Sequence, residues 1–204
     1  MVSFYRTTRE NSPLLVCGID EAGRGPLAGP VCAAAVILGS DFPIYILNDS
    51  KKISAAKREE ARKVIYQKAA AWGIGWASHT EIDSINILQA SLLAMRRAYE
   101  EMSKKFKDIS YPLGEDLQAI VDGTHTPKIA IPCKAMVKAD AEVPEVMAAS
   151  ILAKTERDIY MNEMAKLYPQ YGYDKHKGYP TQAHREIILK LGPSPIQRLT
   201  FKVK

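Results

Sequence analysis

A chain of 204 residues, 47% of them hydrophobic, is long enough to bury one substantial core, so a single domain is expected, with residues from about 168 onward forming a C-terminal appendage of helix and loop. No apolar run approaches the length of a bilayer span, residues 1–11 lack the apolar core of a secretory signal, and Cys17, Cys32 and Cys133 have neither disulfide-framework numbers nor zinc spacing; a cytoplasmic protein is expected. Lys and Arg number 28 against 23 acids, giving +5 and a pI near 9.0, a mild excess that permits contact with nucleic-acid phosphates without demonstrating it.

Residues 14–19 (LLVCGI) are a short apolar run after Pro13 and read as a buried strand. The run ends on two adjacent acids, Asp20 and Glu21, followed by Gly23, Arg24, Gly25, Pro26 and Gly29, which cannot continue a strand. Neighbouring strand residues point to opposite faces, so only a break such as this loop aims both acids at one site; a lone acidic pair would more often be solvated. Residues 31–38 are a second apolar run, expected to pair with the first as a hairpin. Residues 39–52 read as a loop, in which Ser50, Lys51 and Lys52 form either an exposed turn or a phosphate-contacting one. Ser54 is a predicted N-cap for a surface helix over 55–71. Trp72, Ile74 and Trp76 then alternate as the third strand of a meander. Thr80-x-x-Asp83 is the predicted capping box of an amphipathic helix to about Lys105.

Residues 117–121 repeat the pattern of the first strand and end on Asp122-Gly123. Residues 134–138 alternate and stop on Asp140. With these strands side by side and parallel, Asp20, Asp122 and Asp140 converge beyond the carboxyl ends of the strands, where open α/β sheets bind ligands. Together with Glu21 they would raise one another's pKa and call for a hard cation; oxygen-only ligation suits Mg²⁺ or Mn²⁺ rather than zinc. Residues 142–167 read as a helix whose small central residues let it lie close to the sheet, with Lys154 and Arg157 following. Residues 168–180 interleave four tyrosines with Lys175, His176 and Lys177, suiting contact with sugar, base and phosphate or, equally, a Tyr-rich loop packed on the core. Thr181 is a predicted N-cap for a last helix to about Leu191.

The blocks GIDEAGRGPLAGPV (18–31), LNDSKK (47–52), EIDSINIL (81–88), IVDG (120–123), KAD (138–140), ASILAK (149–154) and QYGYDKHKGYPT (170–181) resemble, in order and across nearly the whole chain, the bacterial ribonuclease HII family. The resemblance implies an α/β, RNase H-like mixed five-stranded sheet, three antiparallel strands followed by two parallel ones, flanked by helices. It implies an endonuclease that cuts the RNA strand of RNA–DNA hybrids and, in duplex DNA, cuts 5′ to a single embedded ribonucleotide. Two Mg²⁺ or Mn²⁺ ions and 5′-phosphate and 3′-hydroxyl products go with that activity. Asp20, Glu21, Asp122 and Asp140 match the family's catalytic, metal-binding acids. Gly23, Arg24 and Gly25 match the loop that reads the ribose 2′-hydroxyl and adjacent phosphates, and Tyr179 the tyrosine that packs on the sugar. Ser50, Lys51, Ser150 and Lys154 match positions near the bound backbone.

Two departures stand out. Ala139 replaces a common glycine, which is tolerable only where φ is negative. The tail reads Ile196-Gln197-Arg198-Leu199-Thr200-Phe201 instead of His-Arg-Arg-Ser-Phe, and Gln197-x-Leu199-x-Phe201 resembles a sliding-clamp peptide, a kind of short motif that is mostly accidental. A monomer is the default. The competing readings are another metal nuclease on the same sheet, such as a junction resolvase, and a non-catalytic nucleic-acid-binding protein.

Overall fold

The structure, a computed structural model, describes residues 15–47, 54–107 and 117–203. Five strands form one mixed sheet: β1 (Leu15–Ala22), β2 (Val31–Leu38), β3 (Ala69–Ala77), β4 (Leu117–Asp122) and β5 (Cys133–Met136), in the order β3-β2-β1-β4-β5. β2 is antiparallel to both β1 and β3, while β4 runs parallel to β1 and β5 parallel to β4. Every residue of β2 is buried, as its continuous apolar run requires of a strand covered on both faces. β3 begins three residues earlier than its tryptophan alternation indicates, because three alanines extend the pairing with β2.

One sheet face packs on α2 (His79–Lys107), through Cys17, Ile19, Ala33, Ala35, Ala94, Ala98 and Met102. The other packs on α1 (Ala55–Lys68) and α4 (Pro144–Leu167), through Ala34, Val36, Ile65, Ala148, Ala149 and Leu152. Small residues set the approach of α4. A Cβ on Gly18 would fall 2.1 Å from the Glu145 backbone carbon, so only glycine lets the helix start directly over β1. Ser54 caps α1, accepting from the Lys57 amide, and Thr181 caps α6 (Gln182–Leu191), accepting from the His184 amide.

Two sequence expectations for α2 are corrected. The capping box is Ser78 with Glu81, which exchange reciprocal side-chain-to-amide bonds of 2.8 and 3.1 Å, not Thr80 with Asp83. Glu is the residue whose length reaches back to the cap amide, and Asp83 is engaged elsewhere. The helix is also broken at Asn86 (φ 66, ψ 166). The Asn86 side chain accepts from the Leu88 and Gln89 amides and so restarts the helix as a new N-cap.

Beyond α4 the Tyr-rich stretch folds onto the core. Tyr171 and Tyr173 are buried, α5 (Tyr173–His176) is a single turn, and His176 stacks on His184 with centroids 4.2 Å apart. The tail returns to the glycine loop, where Ala28 and Gln197 form an antiparallel bridge.

Candidate active site

Register brings the first two acids together. Ile19 of β1 is paired with Val121 of β4 in parallel, so the following residues, Asp20 and Asp122, lie side by side on one sheet face. The third acid arrives differently from the expectation. β5 stops at Met136, Lys138 turns the chain in the left-handed region (φ 62), and Asp140 sits on α3 (Ala139–Glu142), a one-turn helix. Asp140 is therefore not a strand-end residue, but α3 aims it inward. Carboxylate oxygens of Asp20, Asp122 and Asp140 all lie within 4.8 Å of one another. The left-handed residue is Lys138, whereas Ala139 starts the helix and is buried; alanine is acceptable there for that reason.

Glu21 is not among the three carboxylates that meet within 4.8 Å, but it is close enough for its charge to act on Asp20 and that of Asp122 on it. Its Oε1 pairs with the Arg24 guanidinium at 3.3 Å, while its Oε2 is buried with no hydrogen-bond partner among the described residues. Burial raises the Asp20 pKa well above the usual carboxylate range, and the charges of Glu21 and Asp122 add to it. The Ser150 hydroxyl and the Glu21 amide, both hydrogen-bonded to Asp20, pull the other way. Burial likewise raises Glu21, opposed by Arg24 and reinforced by Asp122. A set of mutually repelling oxygen donors, two of them buried and two half-buried, with an unclaimed buried acceptor is what a hard divalent cation satisfies.

One face of α4 lines the site. Ser150 reaches Asp20. One turn on, Lys154 pairs with Asp158 at 2.8 Å and places its ammonium 5.7 Å from the Tyr179 ring centroid. The loop holding Tyr179 is pinned from below: its amide donates to the His176 carbonyl, and its carbonyl accepts from His184 Nδ1 at 3.0 Å. His176 and His184 thus pack and position. Burial lowers the pKa of both, which keeps them neutral in that role.

Gly23, Arg24 and Gly25 form the rim opposite. Gly23 has φ +98, and a Cβ there would fall 2.0 Å from Arg157 Nε; a side chain at this position strikes the fold itself. Gly25 is open, with Tyr179 Cε1 3.8 Å from its notional Cβ. Arg157 and Arg198 were not anticipated as part of the site. Arg157 donates to the carbonyls of Pro30, Ala28 and Lys177, and Arg198 to those of Gly23, Arg24, Pro26, Gly29 and Pro30. Arg157 carried a signal: it falls on the same helical stripe as Ala149, Ala153 and Met161, all buried. Arg198 carried none. Ser50 and Lys51 lie outside the described residues.

A sequence model of ribonuclease HII matches residues 17–204. Ribonuclease HII of Treponema denticola is 57% identical over 197 residues, 93% of this chain and 99% of that one. The Dechloromonas aromatica ribonuclease HII is 50% identical over 187 residues, 92% of this chain and 90% of its own. Among solved structures, RNase HII of Archaeoglobus fulgidus, determined in complex with PCNA, superposes with a TM-score of 0.70 at 26% identity, covering 94% of this chain and 96% of that one. On this evidence the chain belongs to the ribonuclease HII family.

Proposed function

We propose that this protein is a divalent-metal-dependent endoribonuclease that cuts the RNA strand of RNA–DNA hybrids and cuts 5′ to single ribonucleotides in duplex DNA, acting as a monomer in the cytoplasm. The observation that carries the reading is the meeting of Asp20, Asp122 and Asp140 within 4.8 Å beside the exposed Arg24 and Gly25 of the Gly-Arg-Gly loop. Asp20, Asp122, Asp140 and Glu21 would hold Mg²⁺ or Mn²⁺, whose chemistry is to activate water for in-line attack and to stabilise the departing 3′-oxygen. No histidine, serine or cysteine nucleophile is required, consistent with His176 and His184 being spent on packing.

The remaining residues act on the substrate. Ser150 fixes the direction of the Asp20 carboxylate. Arg24, half-exposed and paired with Glu21, supplies positive charge at the rim for a phosphate. Tyr179 presents a partly exposed ring on which a sugar or base packs, and Lys154 stands beside it for the backbone. The 2′-hydroxyl is the group that separates RNA from DNA at one position, and the side-chain-free Gly25 lets backbone come close to it.

The relative from Archaeoglobus fulgidus was solved with PCNA. In this chain the clamp-like series is partly engaged in the fold: Gln197 is buried, the half-buried Phe201 packs beside Arg198 at 5.1 Å, and Leu199 is exposed. Clamp contact through that series forms no part of the proposal.

A substrate panel tests the reading. Wild-type protein is incubated with Mg²⁺ or with EDTA on a duplex carrying one ribonucleotide, a long RNA–DNA hybrid, an all-DNA duplex and a four-way junction. Cleavage of the first two only, in Mg²⁺ only, with 5′-phosphate ends, is expected. Cutting of the junction or the all-DNA duplex would favour a different nuclease, and binding without cutting would favour a non-catalytic protein.

A further inference from the structure

Arg198 is fully buried, with 0% of its surface exposed, so it touches no substrate. Its guanidinium nonetheless collects backbone oxygens from the whole glycine loop: Gly23 at 2.6 Å, Pro26 at 2.8 Å, Gly29 at 2.8 Å, Arg24 at 3.0 Å and Pro30 at 3.2 Å. The orientation of the loop amides follows. In a trans peptide the N–H points opposite to the C=O, and no described peptide bond is cis. The Gly23 carbonyl shares its peptide with the Arg24 amide, and the Arg24 carbonyl shares its peptide with the Gly25 amide. With both carbonyls drawn inward to Arg198, both N–H groups are turned outward. Arg24 and Gly25 are also the exposed residues of this loop. Two successive outward amides form a concavity for an electron-rich oxygen. It opens beside Tyr179, whose ring carbon lies 3.8 Å from the Gly25 Cβ position.

The tail that delivers Arg198 is anchored separately. Asp83 of α2 accepts from the Leu199 amide at 2.8 Å, the Thr200 amide at 3.0 Å and the Thr200 hydroxyl at 2.6 Å. Leu27 and Gly29 of the loop exchange backbone bonds with Arg198 and Ile196. A tail segment and a helix thus converge on the glycine loop.

We infer that Arg198 is the positioning residue for ribonucleotide selectivity: it holds the Arg24 and Gly25 amides outward to meet the ribose 2′-hydroxyl and its neighbouring phosphate, and Asp83 holds Arg198. The inference rests on the function proposed above. Lysine at 198 keeps the charge but replaces a planar five-donor fork with a point charge, which cannot gather carbonyls from this many directions at once.

The test measures binding in an Asp122→Asn background with Mg²⁺, so that duplexes are not cut. Affinity for a duplex with one ribonucleotide is compared with affinity for the all-DNA duplex of the same sequence. The added variants are Arg198→Lys and Asp83→Ala, each checked for folding by circular dichroism and melting. Losing the amide hydrogen bond to the 2′-hydroxyl, the contact that only the ribonucleotide duplex offers, is worth up to about tenfold in affinity. The preference for the ribonucleotide duplex is therefore expected to fall by up to about tenfold in Arg198→Lys and by less in Asp83→Ala, while all-DNA affinity, which keeps only the phosphate contact, falls by a smaller factor. A preference retained in both variants, or affinity for both duplexes falling in parallel, overturns the inference; if Arg198→Lys does not fold, Asp83→Ala decides it. A parent protein with no preference at all would instead overturn the proposed function.

Discussion

Gly23 and Gly25 are two residues apart and have different physical jobs. Gly23 is held at φ +98 with Arg157 against its α-carbon, so Gly23→Ala meets both a disfavoured backbone region and a buried guanidinium. It is expected to cost about 2 kcal/mol or more of stability, and selectivity falls with it. Gly25→Ala adds a methyl in ordinary contact with Tyr179. It is expected to leave the melting temperature nearly unchanged and to lower kcat/KM on a ribonucleotide duplex; equal melting losses in the two variants would contradict the distinction. Asp20 gives a prediction of the opposite sign. Its folded-state pKa is raised, so the native state holds the proton more tightly than the unfolded chain does, and stability is lost as pH rises from the unfolded value of about 3.9 through the folded one. Asp20→Asn removes that penalty. Without metal it should melt a few degrees higher than wild type at pH 7, and the difference should vanish at low pH. A variant that melts lower at pH 7 would show the carboxylate to be a stabilising group instead.

At the scale of elements, α2 is fixed at its start by Ser78 and Glu81, with Arg97 closing on the same carboxylate at 2.7 Å. The Arg97 hydrogen bond, followed by the Ser78 amide, lowers the Glu81 pKa to about 2. This contribution is complete above the unfolded value of about 4.3 and fades as pH falls toward 2. Glu81→Ala is expected to cost about 1 kcal/mol at pH 7, the size of a lost cap with its ion pair screened by solvent. The cost should shrink between pH 5 and pH 2; a constant difference in denaturant melts would count against it. The elements carrying Asp20 and Asp122 were legible because each is a continuous apolar run ending on an acid and a glycine, and parallel pairing does the rest. Asp140 was legible as a residue and not as a place. The run Ala135-Met136-Val137 alternates like a strand, but Val137 is exposed, Lys138 turns the chain, and a four-residue helix has too little sequence to declare itself. The break at Asn86 was hidden for a similar reason: apolar spacing continues through it, and only the backbone angle marks it.

At the scale of the molecule, the site is assembled from segments at both ends of the chain. Arg198 reaches the Gly23 carbonyl across 175 positions, and Arg157 reaches Ala28 across 129. Burial of an arginine is stable only where charge-assisted hydrogen bonds replace its hydration. The partners here are carbonyls that exist as a cluster only after folding, so no local pattern announces them. Burial and the nearby Arg157 lower the Arg198 pKa to about 9, which still leaves it charged at neutral pH. By contrast, the β1–β2 hairpin and the meeting of Asp20 with Asp122 follow from runs, spacing and register, while the order of all five strands and the helices on both faces were implied by the family resemblance. No helix among the described residues is long and apolar enough to cross a membrane.

We propose that three carboxylates, from β1, β4 and α3, form one catalytic centre. It is tested most directly by cleavage of an end-labelled duplex carrying one ribonucleotide in Mg²⁺, using wild type, Asp20→Asn, Asp122→Asn and Asp140→Asn, each shown to be folded by its melting curve. A single cut 5′ to the ribonucleotide by wild type is expected, with a loss of at least about a hundredfold in rate for every variant. A folded Asp140→Asn or Asp122→Asn protein that cuts at the wild-type rate would contradict it.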